Sequence, residues 1–176
     1  MSRRNLALAF AAGLLLAGCG NGGHSTSIAD GGIVVRGGEV TLHGNGGIEG
    51  RLDAAGDLAV DGHAIAIDPA QREQLKQYYR AALAVREHGL ATGMAGASVA
   101  VDSLKSAATK VVGGDGRQAD ARLEAAASRI RQEASKICLD MQQIKAAQDR
   151  LATSLAAFRP FSGIIGNDGT GCRDNS

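Results

Sequence analysis

Three cysteines, four histidines and a set of evenly spaced aspartates are the residues of this 176-residue chain that could do chemistry. A thiol can be acylated, oxidised to a disulfide or bound to a metal, and its surroundings decide which. Cys19 closes an apolar run, Cys138 falls inside a long helical pattern, and Cys172 lies in a Gly/Asn/Asp-rich stretch. His24, His43, His63 and His88 show neither the i, i+4 pairing nor the Cys/His spacing of a zinc site. They read as exposed turn histidines, although His43 and His63 both fall in a strand-rich region where they could meet across strands. Asp53, Asp57 and Asp61 recur every four residues but lack the D-x-D-x-D-G order of a calcium loop. Turn chemistry accounts for Asp61 and for Asp57. Gly114 to Ala119 matches G-x-G-x-x-A, yet a dinucleotide site needs a strand before it, and here a helical pattern precedes. No nucleophile elbow, phosphate loop, H-E-x-x-H or C-x-x-C is present, and Ser98 and Ser103 have no positioned base. The expectation is no catalytic residue, no metal and no cofactor.

Composition narrows the classes further. Aromatics make up 3% of the chain, with no Trp, so the interior must be built from Ala, Leu, Ile and Val. A large aromatic-lined ligand pocket is disfavoured. A net charge of +1 disfavours a nucleic-acid surface.

The first twenty residues read as an address. Arg3 and Arg4 form a positive start, and Leu6 to Leu16 is an uncharged apolar run too short to span a bilayer. Leu16-Ala17-Gly18-Cys19 resembles the bacterial lipobox. The resemblance implies that residues 1–18 are a lipoprotein signal peptide, that Cys19 is acylated, and that the mature chain is tethered to a membrane without spanning it. Each buried CH₂ of an acyl chain contributes about 0.8 kcal/mol, so two or three chains hold firmly. Gly20 in place of Asp implies, for a Gram-negative source, the periplasmic face of the outer membrane. Removal of residues 1–18 takes away Arg3 and Arg4 and no acid, so no polybasic patch assists the lipid.

The elements that follow must position whatever the chain does. Residues 19–32 are Gly- and Ser-rich and read as a flexible tether, with a reach of roughly 20 Å. Residues 33–67 carry short β-branched runs broken by glycine pairs, with Asp61-Gly62 as a hairpin turn. They predict a small antiparallel β-meander. Asp68, Pro69 and Gln71 then form a helix start with capping-box spacing. In the first helix Leu90, Met94, Ala97, Val101, Leu104, Ala108 and Val111 form a heptad stripe, ended by Gly113-Gly114. In the second, Leu123, Ala127, Ile130, Ala134, Ile137, Met141, Ile144, Gln148, Leu151, Leu155 and Phe158 continue the same alternation until Arg159-Pro160. Gln148 is the one polar residue in that seam and would fix register at some cost. The short connection predicts an antiparallel hairpin over residues 68–159. Gly89, Gly93 and Gly96 interrupt the first helix; they mark either a close-packing seam or a break near Gly89. Residues 160–176 read as a loose tail. In an oxidising compartment Cys138 and Cys172 form a possible disulfide, closing a loop worth about 3–4 kcal/mol in the loop-entropy model.

Residues Asp53 to Ala82 resemble the YggN-like family of uncharacterised periplasmic proteins. The likeness rests on Gly56, Gly62, Leu58, Ile65, Ile67, Gln71-Arg72 and Tyr78-Tyr79, and it covers about thirty residues. It implies a periplasmic compartment and a helix-rich continuation, and it assigns no activity.

The sequence therefore predicts an α+β fold: a small N-terminal antiparallel β-meander followed by a long antiparallel two-helix hairpin. The expected work is non-enzymatic binding or scaffolding at the cell envelope. The membrane is one partner, through the N-terminal lipid. Because Ala/Gly seams bury little area, a homo-oligomer or an envelope protein would complete the core. A small-ligand or lipid carrier is the alternative, and an envelope hydrolase the more distant one.

Overall fold

The computed structural model describes residues 25–111 and 117–166. The expected signal peptide over residues 1–18, Cys19, His24, most of the expected tether, the 112–116 connection and Cys172 lie outside the described residues. Six strands form one antiparallel meander: β1 (Thr26–Ile28), β2 (Ile33–Arg36), β3 (Glu39–His43), β4 (Glu49–Leu52), β5 (Leu58–Val60) and β6 (His63–Ala64), paired in chain order. Two helices follow, α1 (Pro69–Val111) and α2 (Arg117–Ser154), and then a 3₁₀ turn over Ala156–Phe161. The α+β architecture with a helical hairpin is the one the sequence predicts.

Local chemistry sets several boundaries where expected. Asp61 and Gly62 adopt φ of 47° and 79°, the left-handed pair that a two-residue hairpin turn requires. Asp68 Oδ1 accepts from the Gln71 backbone N–H at 2.8 Å, and Gln71 Oε1 accepts from the Asp68 N–H at 3.1 Å, closing a reciprocal cap at the start of α1. Three contacts make the helices antiparallel: Gln71 to the Ser154 carbonyl, His88 to Glu133, and Asp102 to Arg122.

Other boundaries move. The sheet begins at Thr26, not at residue 33, because Ser27 and Ile28 pair with Val34 and Ile33 and Ile28 reaches the core. Residues 26–32 thus belong to the sheet and not to the tether. Residues 161–165 are not the loose segment that the sequence predicts after residue 160. Phe161 and Ile165 are buried, and Gln148 holds the segment in place. Its Nε2 donates to the Ser162 and Ile165 carbonyls at 2.7 and 2.9 Å, and its Oε1 accepts from the Ile165 N–H at 3.0 Å. The polar seam residue therefore pins the C-terminal segment.

The core lies between the sheet and the base of the hairpin. Ile33, Val35, Val40, Leu42, Leu52 and Leu58 line the inner sheet face; Leu75, Tyr78, Ala82, Ile144 and Leu151 come from the helices. Phe158 joins the layers, edge-on to both Tyr78 and Phe161 with centroids 5.7 and 5.5 Å away. The sheet makes room for Phe161 through two glycines. A Cβ on Gly50 or Gly44 would come within 2.8 or 2.9 Å of its ring. Few aromatics exist, and three of them meet at this one junction.

Candidate functional site

The distal arm of the hairpin, from about His88 upward, is built differently. The face of α1 that meets α2 continues from the base at steps of three and four: Val85, His88, Thr92, Ala95, Val99, Asp102 and Ser106 are all buried or half-buried. Much of that seam is polar. The apolar heptad of α1 points the other way. Leu90 and Val101 are 45% and 50% exposed, and Met94 and Leu104 are 74% exposed. The stripe expected to seal the hairpin is instead its outer surface; the side chains of Ala108 and Val111 lie outside the described ones. The reason is continuity. Leu75, Tyr78, Ala82 and Val85 fix the rotation of α1 in the base, and a straight helix carries that rotation into the arm.

The glycines of the arm are also unexplained from within the chain. α1 is continuous from Pro69 to Val111, so no break occurs at Gly89. Nor is there a close-packing seam: a Cβ placed on Gly89, Gly93 or Gly96 meets nothing within 4 Å. Each costs the helix about 1 kcal/mol relative to Ala, with no described contact to offset it. From Gly89 to Val101 the helix carries no charged residue. At the foot of the stripe Leu83, Arg86, Glu87, Leu90, Ala91 and Met94 line an open depression of about 510 Å³.

Between base and arm lies a charged node. His88 Nδ1 is 2.7 Å from Glu133 Oε2, and its Nε2 is 3.7 Å from Asp140 Oδ2. Lys136 Nζ donates to Glu133 Oε1 at 2.9 Å. That hydrogen bond, together with the His88 bond, holds the Glu133 carboxyl below its usual range. Burial pushes the Asp140 carboxyl up, against the opposing effect of His88, and its Oδ2 is buried without a hydrogen-bond partner. The two carboxylates face opposite ring nitrogens, so they cannot share one ion. Among the described residues no group of three His, Cys, Asp or Glu side chains is placed to hold a metal.

The remaining candidates separate. His43 on β3 and His63 on β6 have β4 and β5 between them, so they are not cross-strand neighbours. Asp30, His43 and Asn45 do line an open cleft of about 320 Å³, bordered by Pro160, Gly163 and Ile164. Among the described residues no hydroxyl, thiol or amine side chain lines it. The aspartates do turn work. Asp53 Oδ1 accepts from the Ala55 and Asp57 N–H groups, Asp57 pairs with Arg72, and Asp61 Oδ1 accepts from the Glu49 N–H. Arg117 opens α2, and the helix α1 precedes it where a nucleotide loop would need a strand. Cys138 is disulfide-bonded. The other two cysteines of the chain lie outside the described residues. No family model, no curated protein and no solved structure matches the chain.

No helix among the described residues is long and apolar enough to cross a membrane. The outward signal was legible in one respect only: the heptad itself was visible in the sequence, but not which way it faced.

Proposed function

We propose that this chain is a lipid-anchored envelope protein whose helical hairpin is a docking arm, with no catalytic role. One observation carries the reading: the apolar heptad in the arm of α1 is turned away from its own partner helix and lies open. A monomeric soluble protein rarely leaves a contiguous apolar stripe exposed, and such a stripe marks a binding surface. The sheet–helix interface is filled by Tyr78, Phe158, Phe161 and Leu58, which speaks against a lipid carrier with a cavity there.

The anchor rests on the lipobox-like Leu16-Ala17-Gly18-Cys19 and the compartment on the same signal. A disulfide at Cys138 agrees with an oxidising compartment, and so does the likeness of Asp53–Ala82 to YggN-like periplasmic proteins. We assign Cys172 as its partner. Ile165 is fixed beside Gln148, and Cys138 lies ten residues, about 15 Å, along α2 from there. Seven residues of chain from Ile165 to Cys172 cover up to about 23–25 Å.

Two measurements test the reading. A Cys19→Ala variant should lose acyl labelling and membrane fractionation; unchanged fractionation contradicts the anchor. A photoreactive residue at Met94 of the full chain should crosslink to protein in producing cells, whereas one at Glu124, on the exposed side of α2, should not. No product at Met94, or lipid alone, contradicts the docking arm.

A further inference from the structure

Resting on the docking-arm reading, we infer that the occupant of the α1 stripe is the same stripe of a second copy of this chain, running antiparallel. Three features on the arm select this occupant. The exposed residues Leu90, Met94, Ala97, Val101 and Leu104 repeat at steps of four and three, which is the 3.5-residue period of a helix packed along another helix. A membrane-surface helix instead has a wide apolar face with Lys and Arg on its polar side. Here residues 89–101 hold no cation to meet lipid headgroups.

Packing comes second. Gly93 and Ala100 flank the stripe on one side, Ala91 and Ser98 on the other. Small flanks let two backbones approach closely, and open space over Gly93, at the edge of the stripe, is what a neighbouring helix would fill. The partner face must itself be apolar and uncharged, and the stripe of another copy meets that requirement.

Charge sets the direction. Exposed Glu87 borders the stripe at its lower end and exposed Lys105 at its upper end. A parallel pair would set Glu87 beside Glu87 and Lys105 beside Lys105. An antiparallel pair brings each Glu87 end to a Lys105 end. Turned about a two-fold axis at Ala97, Leu90 falls beside Leu104 of the second copy. Such an interface is isologous and closed.

The stripe from Leu90 to Leu104 is about 21 Å long and one helix wide. That falls short of the roughly 800 Å² per partner of a stable interface. The pair is therefore weak in dilute solution, and it gains from confinement of both copies to one membrane, which raises their effective concentration.

The test uses the full chain, purified in detergent where it carries its lipid, and the same chain in producing cells. Sedimentation should show a dimer whose fraction rises with concentration. A photoreactive residue at Ala97 should link two copies near Ala97 in each. Met94→Asp with Leu104→Asp should abolish the dimer while the helical circular dichroism is unchanged. Glu87→Lys alone should weaken it about threefold or more, and Glu87→Lys with Lys105→Glu should restore it. A monomer at every concentration, a dimer indifferent to Met94→Asp, or a link between position 87 of one copy and position 87 of the other overturns the inference. A Met94 or Ala97 product that contains a different protein and never a second copy overturns it too, but leaves the docking arm standing. Absence of any protein product overturns both.

Discussion

The base and the arm of the hairpin use the same two helices for opposite purposes. In the base, α1 and α2 turn their largest apolar side chains inward, against one another and the sheet. Tyr78, Leu75, Ile144, Leu151 and Phe158 are fully buried there. In the arm the inward face mixes His88, Thr92, Asp102 and Glu133 with small or half-buried apolar residues such as Ala95, Val99 and Ala126, while Met94 and Leu104 face out. Helix propensity, though weakened in the arm by Gly89, Gly93 and Gly96, does not decide which face looks inward. Rotation does: the base chooses it, because burial of large side chains stabilises by about 25 cal/mol per Å², and the arm inherits it. A helix is stiff enough for a strongly packed end to decide what the weakly packed end displays.

The largest break of this contrast is at the junction. Phe158→Ala removes the ring that joins Tyr78 to Phe161, and should destabilise the fold by about 3–5 kcal/mol in a denaturant titration. Leu104→Ala in the arm should change it by less than about 0.5 kcal/mol. Equal losses would mean that the arm is packed as tightly as the base.

Gln148→Leu comes next. It leaves the Ile165 N–H and carbonyl and the Ser162 carbonyl without partners, at a cost of about 2–3 kcal/mol. Limited proteolysis should then cut after residue 160 at a much lower protease concentration. A tail as resistant as before would show that Phe161 and Ile165 hold the segment unaided.

Glycine replacements separate the regions by sign. Gly50→Ala drives a Cβ into the Phe161 ring and should cost about 1–3 kcal/mol. Gly93→Ala meets nothing in the chain and should stabilise the monomer by up to about 1 kcal/mol, seen as a higher Tm. At the same time it should weaken self-association. Destabilisation of the monomer by Gly93→Ala would point to an intrachain contact.

The smallest effect sits at the node between the regions. Burial raises the Asp140 carboxyl, so the folded state holds that proton more tightly than the unfolded chain does. Its contribution favours folding at low pH and is lost as pH rises through the raised value. Asp140→Asn should therefore be neutral to slightly stabilising at pH 7, with the gain fading as pH falls through the carboxylate range. Glu133 has the opposite sign. Its carboxyl is lowered, first by Lys136, so its contribution is present above the ordinary carboxylate range and is lost as pH falls through the depressed value. Glu133→Gln should flatten the acid limb of a stability–pH curve, and a curve unchanged by both variants contradicts this account of the node.

Much of the fold was legible because its signals are local. Asp68, Pro69 and Gln71 act within one turn, and Asp61-Gly62 within two residues, so no distant contact can override them. The heptad in the lower half of α2, from Ile137 to Leu151, faces the core as its spacing implies. Three things were not legible. β1 carries little signal because Thr26-Ser27-Ile28 is only three residues long and sits between glycine pairs, so its two β-branched residues form no readable alternation. The buried Phe161 and Ile165 were hidden by Pro160, Gly163 and Gly166, although the apolar pair Ile164-Ile165 was a usable hint. The facing of the α1 stripe could not be read because two heptads coexist on that helix, offset by two residues. Hydrophobicity favours the one at Leu90 and Met94, while the packing of Tyr78, Ala82 and Val85 below selects the other.

The central claim is that the open face of α1 is covered by a second helix in the working protein. Amide hydrogen exchange of the full chain, followed over residues 89–107 at rising protein concentration, tests it most directly. The account predicts that amides around Tyr78 and Leu151 exchange slowly at every concentration, while those from Gly89 to Ala107 become several-fold more protected as concentration increases. Arm exchange that does not change with concentration would contradict it.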